Sequence, residues 1–228
     1  MKTEIGMKIW TVDAFTDKPF HGNPAALTVV KDFPNDTVCQ KIAAEMNLSE
    51  TAFIKPFGID HFHIRWFTPS IEVKLCGHAT LASAHILFQE GMVGGNTIMF
   101  DSLSGPLFVK RERYHLDFPL QKTGEALSIG SFKALLNIEE IIDVVQAFDD
   151  VIVEVSDEKI LRDLNLNPTD VKKIDCQGLI VTAKGNPPYD FVSRYFAPRE
   201  GINEDPVTGS AHCKLAYYWQ RKLGKEYV

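Results

Sequence analysis

The sequence predicts an α+β fold of two similar lobes, each a set of strands around one apolar helix. The first observation is a repeat. Residues 65–69 read RWFTP and residues 194–198 read RYFAP. Each follows a strand-like run, TAFI in one case and LIVT in the other. Each precedes a Gly-x-Ala that opens an apolar helix, at Gly77-His78-Ala79 and at Gly209-Ser210-Ala211. The arginines lie 129 residues apart and the glycines 132. A match in order and spacing over three elements reads as an internal duplication. The second observation is the order of elements, which mixes strands and helices without the strict alternation of a doubly wound sheet. The third is length: 228 residues suffice for two small lobes, each with a core. We place the lobes at 1–120 and 121–228.

The elements follow in order. KIWTVDAF (8–15) has strand composition, and HGNPAALTVV gives a turn at Gly22-Asn23-Pro24 and then a buried strand. NDTVCQKIAAEMNLS reads as a helix capped by Asn35 or Asp36, with Val38, Ile42 and Met46 on one face. TAFIKP and FHIRWF are strands joined as a hairpin through FGIDH. GHATLASAHILFQEG is an apolar helix closed by Gly91. NTIMFDS, PLFVKRE and YHLDFP form a three-stranded meander that turns at Gly105-Pro106. In the second half, SIGSFKALLN, EEIIDVVQAF and DEKILRDLN read as helices, and DVIVEV, GLIVTAKG and YDFVSRYFAP as strands. GSAHCKLAYYWQRKLG is the final helix.

The duplication predicts a gap. In the first lobe the central helix is followed by the meander 97–119, whereas the second helix is followed only by a few residues. The second lobe is therefore expected to lack its last strands, leaving an open sheet edge and a helix face to be covered from elsewhere.

Composition narrows the function. Hydrophobic residues make up 45% and charged ones 24%, ordinary values for a soluble globular protein. The net charge is −6, and the densest basic run, KRER, is interrupted by a glutamate, which argues against nucleic acid as a partner. No apolar run approaches the roughly 20 residues that span a bilayer. The four cysteines, Cys39, Cys76, Cys176 and Cys213, are widely spaced, and the N-terminus runs straight into a strand-like segment; a reduced, cytoplasmic setting is expected.

Four features carry chemistry. The two helix starts each present unpaired N–H groups and about half a positive charge. Converging on one cleft, they would hold a carboxylate or a developing enolate, and Gly77 and Gly209 would let a ligand approach the backbone. The plainer reading is two tight strand-to-helix turns. Glu204 and Asp205 stand just before the second helix. They read either as compensation of the helix dipole or, for Asp205, as a group that orients a substrate or relays its proton. His78 lies in a first helical turn, where imidazolium is disfavoured, so a neutral ring able to pass a proton is expected; a satisfied, half-buried histidine is the plainer reading. Glu50, between a helix end and the apolar TAFI run, is expected to be partly buried, with its pKa raised into the range of a general base. A loop glutamate is the alternative. His61 and His63 share a strand face, but no further ligands stand near them in sequence and no metal site is assigned. Cys76 and Cys213 stand one near each helix start, as a racemase's thiol pair would, but Cys76 precedes its glycine while Cys213 lies four residues beyond its own, as a small apolar helix residue.

Taken together, VDAFTDKPFHGNPAAL, MNLSETAFI, RWFTPSIEVKLCGHATLASAHIL and GINEDPVTGSAH resemble the PhzF-like isomerase family of phenazine biosynthesis, in order over residues 8 to 224. The resemblance implies a diaminopimelate epimerase-like fold: two pseudo-symmetric lobes, each a β-barrel-like sheet around a central helix, with the site in the cleft between them. It implies a cofactor-free isomerase acting on a small unsaturated or cyclic carboxylic acid. Its best-known member shifts a proton in trans-2,3-dihydro-3-hydroxyanthranilic acid. By motif, Glu50 corresponds to the catalytic glutamate, Gly77 and His78 belong to the site, and so do Asp205, Gly209 and Ser210. Homodimers are usual in the family. A two-base racemase or epimerase remains a rival, as does a non-catalytic binding or scaffold protein on the same fold.

Overall fold

A computed structural model describes residues 6–116, 118 and 120–228, without the side chains of 113, 115 and 116. It divides into two compact units, Met1–Phe118 and Pro119–Val228.

The first unit is an eight-stranded sheet. Its strands are β1 (Trp10–Ala14), β2 (Asn23–Val29), β3 (Glu50–Gly58), β4 (His61–Phe67), β5 (Glu72–Val73), β6 (Thr97–Ser102), β7 (Gly105–Lys110) and β8 (His115–Leu116). They lie in the order β1-β2-β3-β4-β6-β7-β8, with β5 paired to β4. Helix α1 (Asp36–Met46) joins the parallel strands β2 and β3, and α2 (Gly77–Gln89) follows β5. At Gly22, φ is +75° and an added Cβ would sit 2.1 Å from the Ala14 carbonyl oxygen, so only glycine fits the turn into β2. Asn35, the N-cap of α1, accepts the Val38 N–H at 2.9 Å.

The sheet curls into a half-barrel around α2. Ten of the thirteen residues of α2 are buried. Most are Gly, Ala, Ser or Thr, small enough for strands to approach closely. Thr80 and Ser83 hydroxyls donate to the carbonyls of Cys76 and Ala79, one turn back, at 2.5 and 2.6 Å, which settles these buried polar groups within the helix itself. Leu27, Ile54, Ile64, Trp66, Ile98 and Phe100 fill the space between helix and sheet. Helix α1 packs on the opposite face, over the T-shaped pair Phe53 and Phe67. The expected third strand of the meander is short, covering His115–Leu116; positions 117 and 119 of that prediction lie outside the described residues.

The second unit contains α3 (Ile129–Leu136), β9 (Ile141–Ala147), β10 (Asp150–Val155), α4 (Glu158–Asp163), α5 (Pro168–Val171), β11 (Leu179–Lys184), β12 (Phe191–Ala197), β13 (Ile202–Asp205) and α6 (Gly209–Leu223). Its five strands lie in the order β13-β12-β11-β10-β9. One expectation fails here: EEIIDVVQAF is not a helix, and Ile141–Ala147 form β9, paired antiparallel to β10. Ile141, Ile142, Val144 and Val145 are β-branched and favour a pleated surface. Ile141, Val144 and Val145 are buried while Ile142 is 48% exposed. The apparent helical spacing came from Ile141, Val144 and Val145, which lie on both faces of a sheet covered on both sides.

The duplication is borne out strand by strand. β9 to β13 repeat β1 to β5 in order and in sense: antiparallel, parallel, antiparallel, antiparallel. In both halves the apolar helix follows the last strand. In the first sheet β6 pairs with β4 through His61–His63, whereas among the described residues no strand follows α6 and the second sheet has no counterpart of β6 to β8. The second sheet carries α6 on one face and α3, α4 and α5 on the other. Among the described residues no helix is long and apolar enough to cross a membrane.

Candidate active site

The acidic residues before the two helices have different tasks. Glu72 and Glu204 occupy equivalent places, on β5 and β13, and each takes an arginine of the repeated motif in a bidentate pair. Arg65 donates to both Glu72 oxygens at 2.7 Å, and Arg194 donates to Glu204 at 2.7 and 2.8 Å. Each arginine also ties its strand to the preceding crossover. Arg65 reaches Asp36 at the start of α1, and Arg194 reaches the carbonyls of Leu161 and Leu164 at the end of α4. Glu204 is therefore a structural clamp. Asp205, its neighbour, points the other way along the alternating strand and is buried.

In the first unit, Glu50 opens β3 and His78 is the second residue of α2. Both are buried, at 8% and 2% exposure. Glu50 Oε2 lies 3.3 Å from His78 Nε2, and Cys76 Sγ lies 3.5 Å from the other ring nitrogen, Nδ1. The imidazole is thus held between a thiol and a carboxylate. Gly77, first residue of α2, is buried beside them. Sequence reasoning expected Glu50 and His78 in the site, and the fold brings them together, because β3 starts where α2 starts.

In the second unit, Asp205 ends β13 and Gly209 begins α6, with Ser210 half-buried in its first turn. The Thr208 hydroxyl donates to Asp205 Oδ2, and the Thr208 carbonyl accepts from His212 Nδ1 at 2.8 Å. Asp205, Thr208, His212, Tyr195 and Phe191 line a pocket of about 230 Å³. Cys213 donates its thiol to the Gly209 carbonyl at 3.6 Å, inside the helix as expected.

The helices differ in how they begin. Asn35, Ser128, Asp157 and Asn167 cap α1, α3, α4 and α5 with side-chain hydrogen bonds. Cys76 and Thr208, the N-caps of α2 and α6, make no such bond. The two helices that carry the sequence-derived site are the two whose N-caps withhold their side chains.

A buried polar cluster lies beneath α6 and was missed from sequence. Lys214 donates to Asp149 at 2.7 Å and to Asp150 at 2.5 Å, and Tyr195 donates to Asp150 at 3.2 Å. Burial pushes the Asp150 carboxyl up to about 6 and the nearby Glu200 carboxyl up to about 7. Burial disfavours charge on Lys214 as well, but Asp150 and Asp149 together outweigh it and hold the ammonium. No spacing rule would have joined Asp149, Asp150, Glu200 and Lys214, because a sheet crossing separates them.

Glu50, Cys76 and His78 offer ligand atoms within 4.8 Å of one another, a set that a small cation can enter. The thiol and the carboxylate face opposite ring nitrogens, however, so the lone pairs do not converge on one point as a tetrahedral site requires. His61 and His63 turn instead to Asp101, at 2.8 and 3.7 Å, under the ring of Phe57.

A model of the phenazine biosynthesis-like protein family matches residues 12–228. An uncharacterized isomerase of Halalkalibacterium halodurans is 46% identical over 222 residues, 95% of this chain and 83% of that protein. The human phenazine biosynthesis-like domain-containing protein is 40% identical over 248 residues, 96% of this chain and 85% of its own. The crystal structure of a PhzF-family phenazine biosynthesis protein from Enterococcus faecalis superposes with a TM-score of 0.85 at 40% identity, covering 96% of this chain and 84% of that one. A probable proline racemase of Agrobacterium radiobacter, 10% identical with a TM-score of 0.62 over 98% of this chain and 79% of its own, shares the fold alone.

Proposed function

Because the chain belongs to the phenazine biosynthesis-like family and is an enzyme of isomerase type, we propose that it moves a proton within a small unsaturated or cyclic carboxylic acid, without a cofactor. The observation that carries this reading is the buried pair of Glu50 and His78, 3.3 Å apart at the start of α2.

In this reading the Glu50 carboxylate removes a proton from a carbon next to the unsaturated acid. The C–H electron pair moves into the conjugated system, and the double bond shifts as a proton returns to another carbon. His78 and Asp205 assist the second transfer. N–H groups at 77–78 and 209–210, with the Ser210 hydroxyl, hold the substrate carboxylate and the charge that develops on it. Exclusion of water keeps the moving proton from exchange. A homodimer is part of the same reading and rests on the family resemblance, and a cytoplasmic setting rests on the widely spaced cysteines; sedimentation of the dimer would give about twice the 25.6 kDa chain mass.

The structure of the repeat disfavours a two-base racemase, which needs matched acids at both helix starts. The counterpart of Cys76 is Thr208, 132 residues on, and a threonine hydroxyl is no equivalent of a thiol base. The deciding experiment incubates the protein in heavy water with a panel of cyclic dihydro-acids that includes trans-2,3-dihydro-3-hydroxyanthranilic acid, with Glu50→Gln as control. Isomerisation moves the double bond, racemisation exchanges only the α-proton, and a binding protein does neither. Glu50→Gln should lower the rate at least about a hundredfold. A control as fast as the parent removes Glu50 from the role of base.

A further inference from the structure

We propose that Cys76 and Thr208, at equivalent places in the two halves, are positioning residues: each gives up helix capping to orient an acid–base group, and Cys76 sets the tautomer of His78. The inference deepens the isomerase reading and rests on it for the kinetic half of its test.

Two independent observations point the same way. Threonine is a strong N-cap former, yet Thr208 makes no cap bond to α6 and donates instead to Asp205 Oδ2. The hydroxyl is the donor, and it fixes the carboxyl group from that side. One repeat earlier, Cys76 likewise leaves α2 uncapped, and its Sγ stands 3.5 Å from His78 Nδ1. Both N-caps have extended backbones, with φ −145° and ψ 115° at Cys76 and φ −112° and ψ 107° at Thr208. The four N-caps that do bond their helices are extended as well, so the side chains' own partners set Cys76 and Thr208 apart, not the backbone.

The consequence for His78 follows from counting protons. A neutral imidazole has one N–H. Glu50, acting as a base, is a carboxylate and only accepts, so the N–H must be on Nε2, 3.3 Å from Oε2. Nδ1 then carries the lone pair, and the partner it faces is the thiol, whose S–H donates to it. The thiol holds the tautomer at Nδ1, and the Glu50 carboxylate stands at ion-pair distance from Nε2. In this state His78 cannot take the proton that Glu50 removes without becoming imidazolium at the positive end of α2, a charge that burial and the helix dipole both oppose. Glu50 is then the group that holds the proton between the two transfers, and His78 assists the second by keeping its Nε2–H turned toward that carboxyl. Cys76 itself neither gains nor loses a proton in the cycle.

The tautomer is read without substrate, by nitrogen NMR of histidine-labelled protein, with His78 assigned through its loss in His78→Gln. The parent should show Nε2 protonated and Nδ1 as a hydrogen-bonded lone pair. Cys76→Ala should move the Nδ1 signal downfield, toward an unbonded lone pair. Cys76→Ser, a stronger donor, should move it upfield, and this variant also decides the matter if the alanine variant does not fold. A proton on Nδ1 in the parent, or an Nδ1 signal that neither substitution moves, overturns the assignment. In the kinetic half, run on the dihydro-acid panel, Thr208→Val should lower kcat roughly 10- to 100-fold with KM little changed. Thr208→Ser should recover most of the loss. A Thr208→Val enzyme with the parent kcat refutes the role of Thr208. If Glu50→Gln retains the parent rate, or the parent converts none of these acids, the isomerase reading fails, and the NMR result still decides the tautomer.

Discussion

Replacing Glu200 by glutamine should stabilise the protein at pH 8 and change it little at pH 5. Glu200 closes a 3₁₀ turn, Pro198–Glu200, that leads into β13, and it is 6% exposed. Burial pushes its carboxyl up to about 7; a hydrogen bond with Gln177 opposes the rise, Asp150 and Asp149 add to it, and Lys214 opposes it. The unperturbed carboxyl titrates near 4.5. A group whose folded pKa exceeds its unfolded value binds its proton more tightly in the native state. Stability is therefore lost as pH rises from about 4.5 to about 7, and it stays low above that. At pH 8 the ionised side chain costs on the order of 3 kcal/mol; at pH 5 the cost is about 1 kcal/mol or less. Glutamine keeps the shape and a partner for Gln177 but has no charge to bury. For a chain of this size about 1 kcal/mol corresponds to roughly 2–4 °C in Tm. The gain should thus be about 6–12 °C at pH 8 and no more than about 4 °C at pH 5. Thermal unfolding followed by circular dichroism at four pH values between these limits measures it. A gain that is independent of pH, or that shrinks as pH rises, would refute the assignment of a buried, proton-retaining carboxyl.

Two further outcomes rest on packing. Gly178→Ala would set a Cβ 2.2 Å from ring and hydroxyl atoms of Tyr195, whose hydroxyl is tied to Asp150, so the variant should lose about 1–3 kcal/mol or more, and an unchanged denaturant midpoint would contradict this contact. Cys39, Cys76, Cys176 and Cys213 are all buried, and burial pushes the Cys176 thiol up to about 12 and raises those of Cys39 and Cys213; an aromatic disulfide reagent should label none of the four within minutes until denaturant is added, and rapid native labelling of any one would show that its wall opens.

Much of the site was legible because its signals are local. A helix start is marked by glycine and small residues, and an apolar run marks a buried strand, so Gly77, His78, Gly209 and Ser210 could be placed on helix starts and Glu50 at a strand start. The repeat of RWFTP as RYFAP located two arginines but not their partners. Glu72 and Glu204 meet Arg65 and Arg194 only once β5 and β13 fold back on β4 and β12. The segment 139–148 was misread because its apolar spacing suits a helix, while pairing with β10 decides for a strand.

The sequence by itself determined the duplication, the order of elements and the residue types that can move a proton, since each depends on neighbours along the chain. Tertiary structure decided which atoms meet. It separated Glu204, a clamp, from Asp205, one residue on, because successive strand residues face opposite sides of a sheet. It set Glu50 at the ring nitrogen of His78 opposite Cys76, although Glu50 and His78 lie 28 residues apart in the chain. Hydrogen bonds act over about 3 Å, and distances on that scale between residues far apart in the chain exist only after the sheets have closed on their helices.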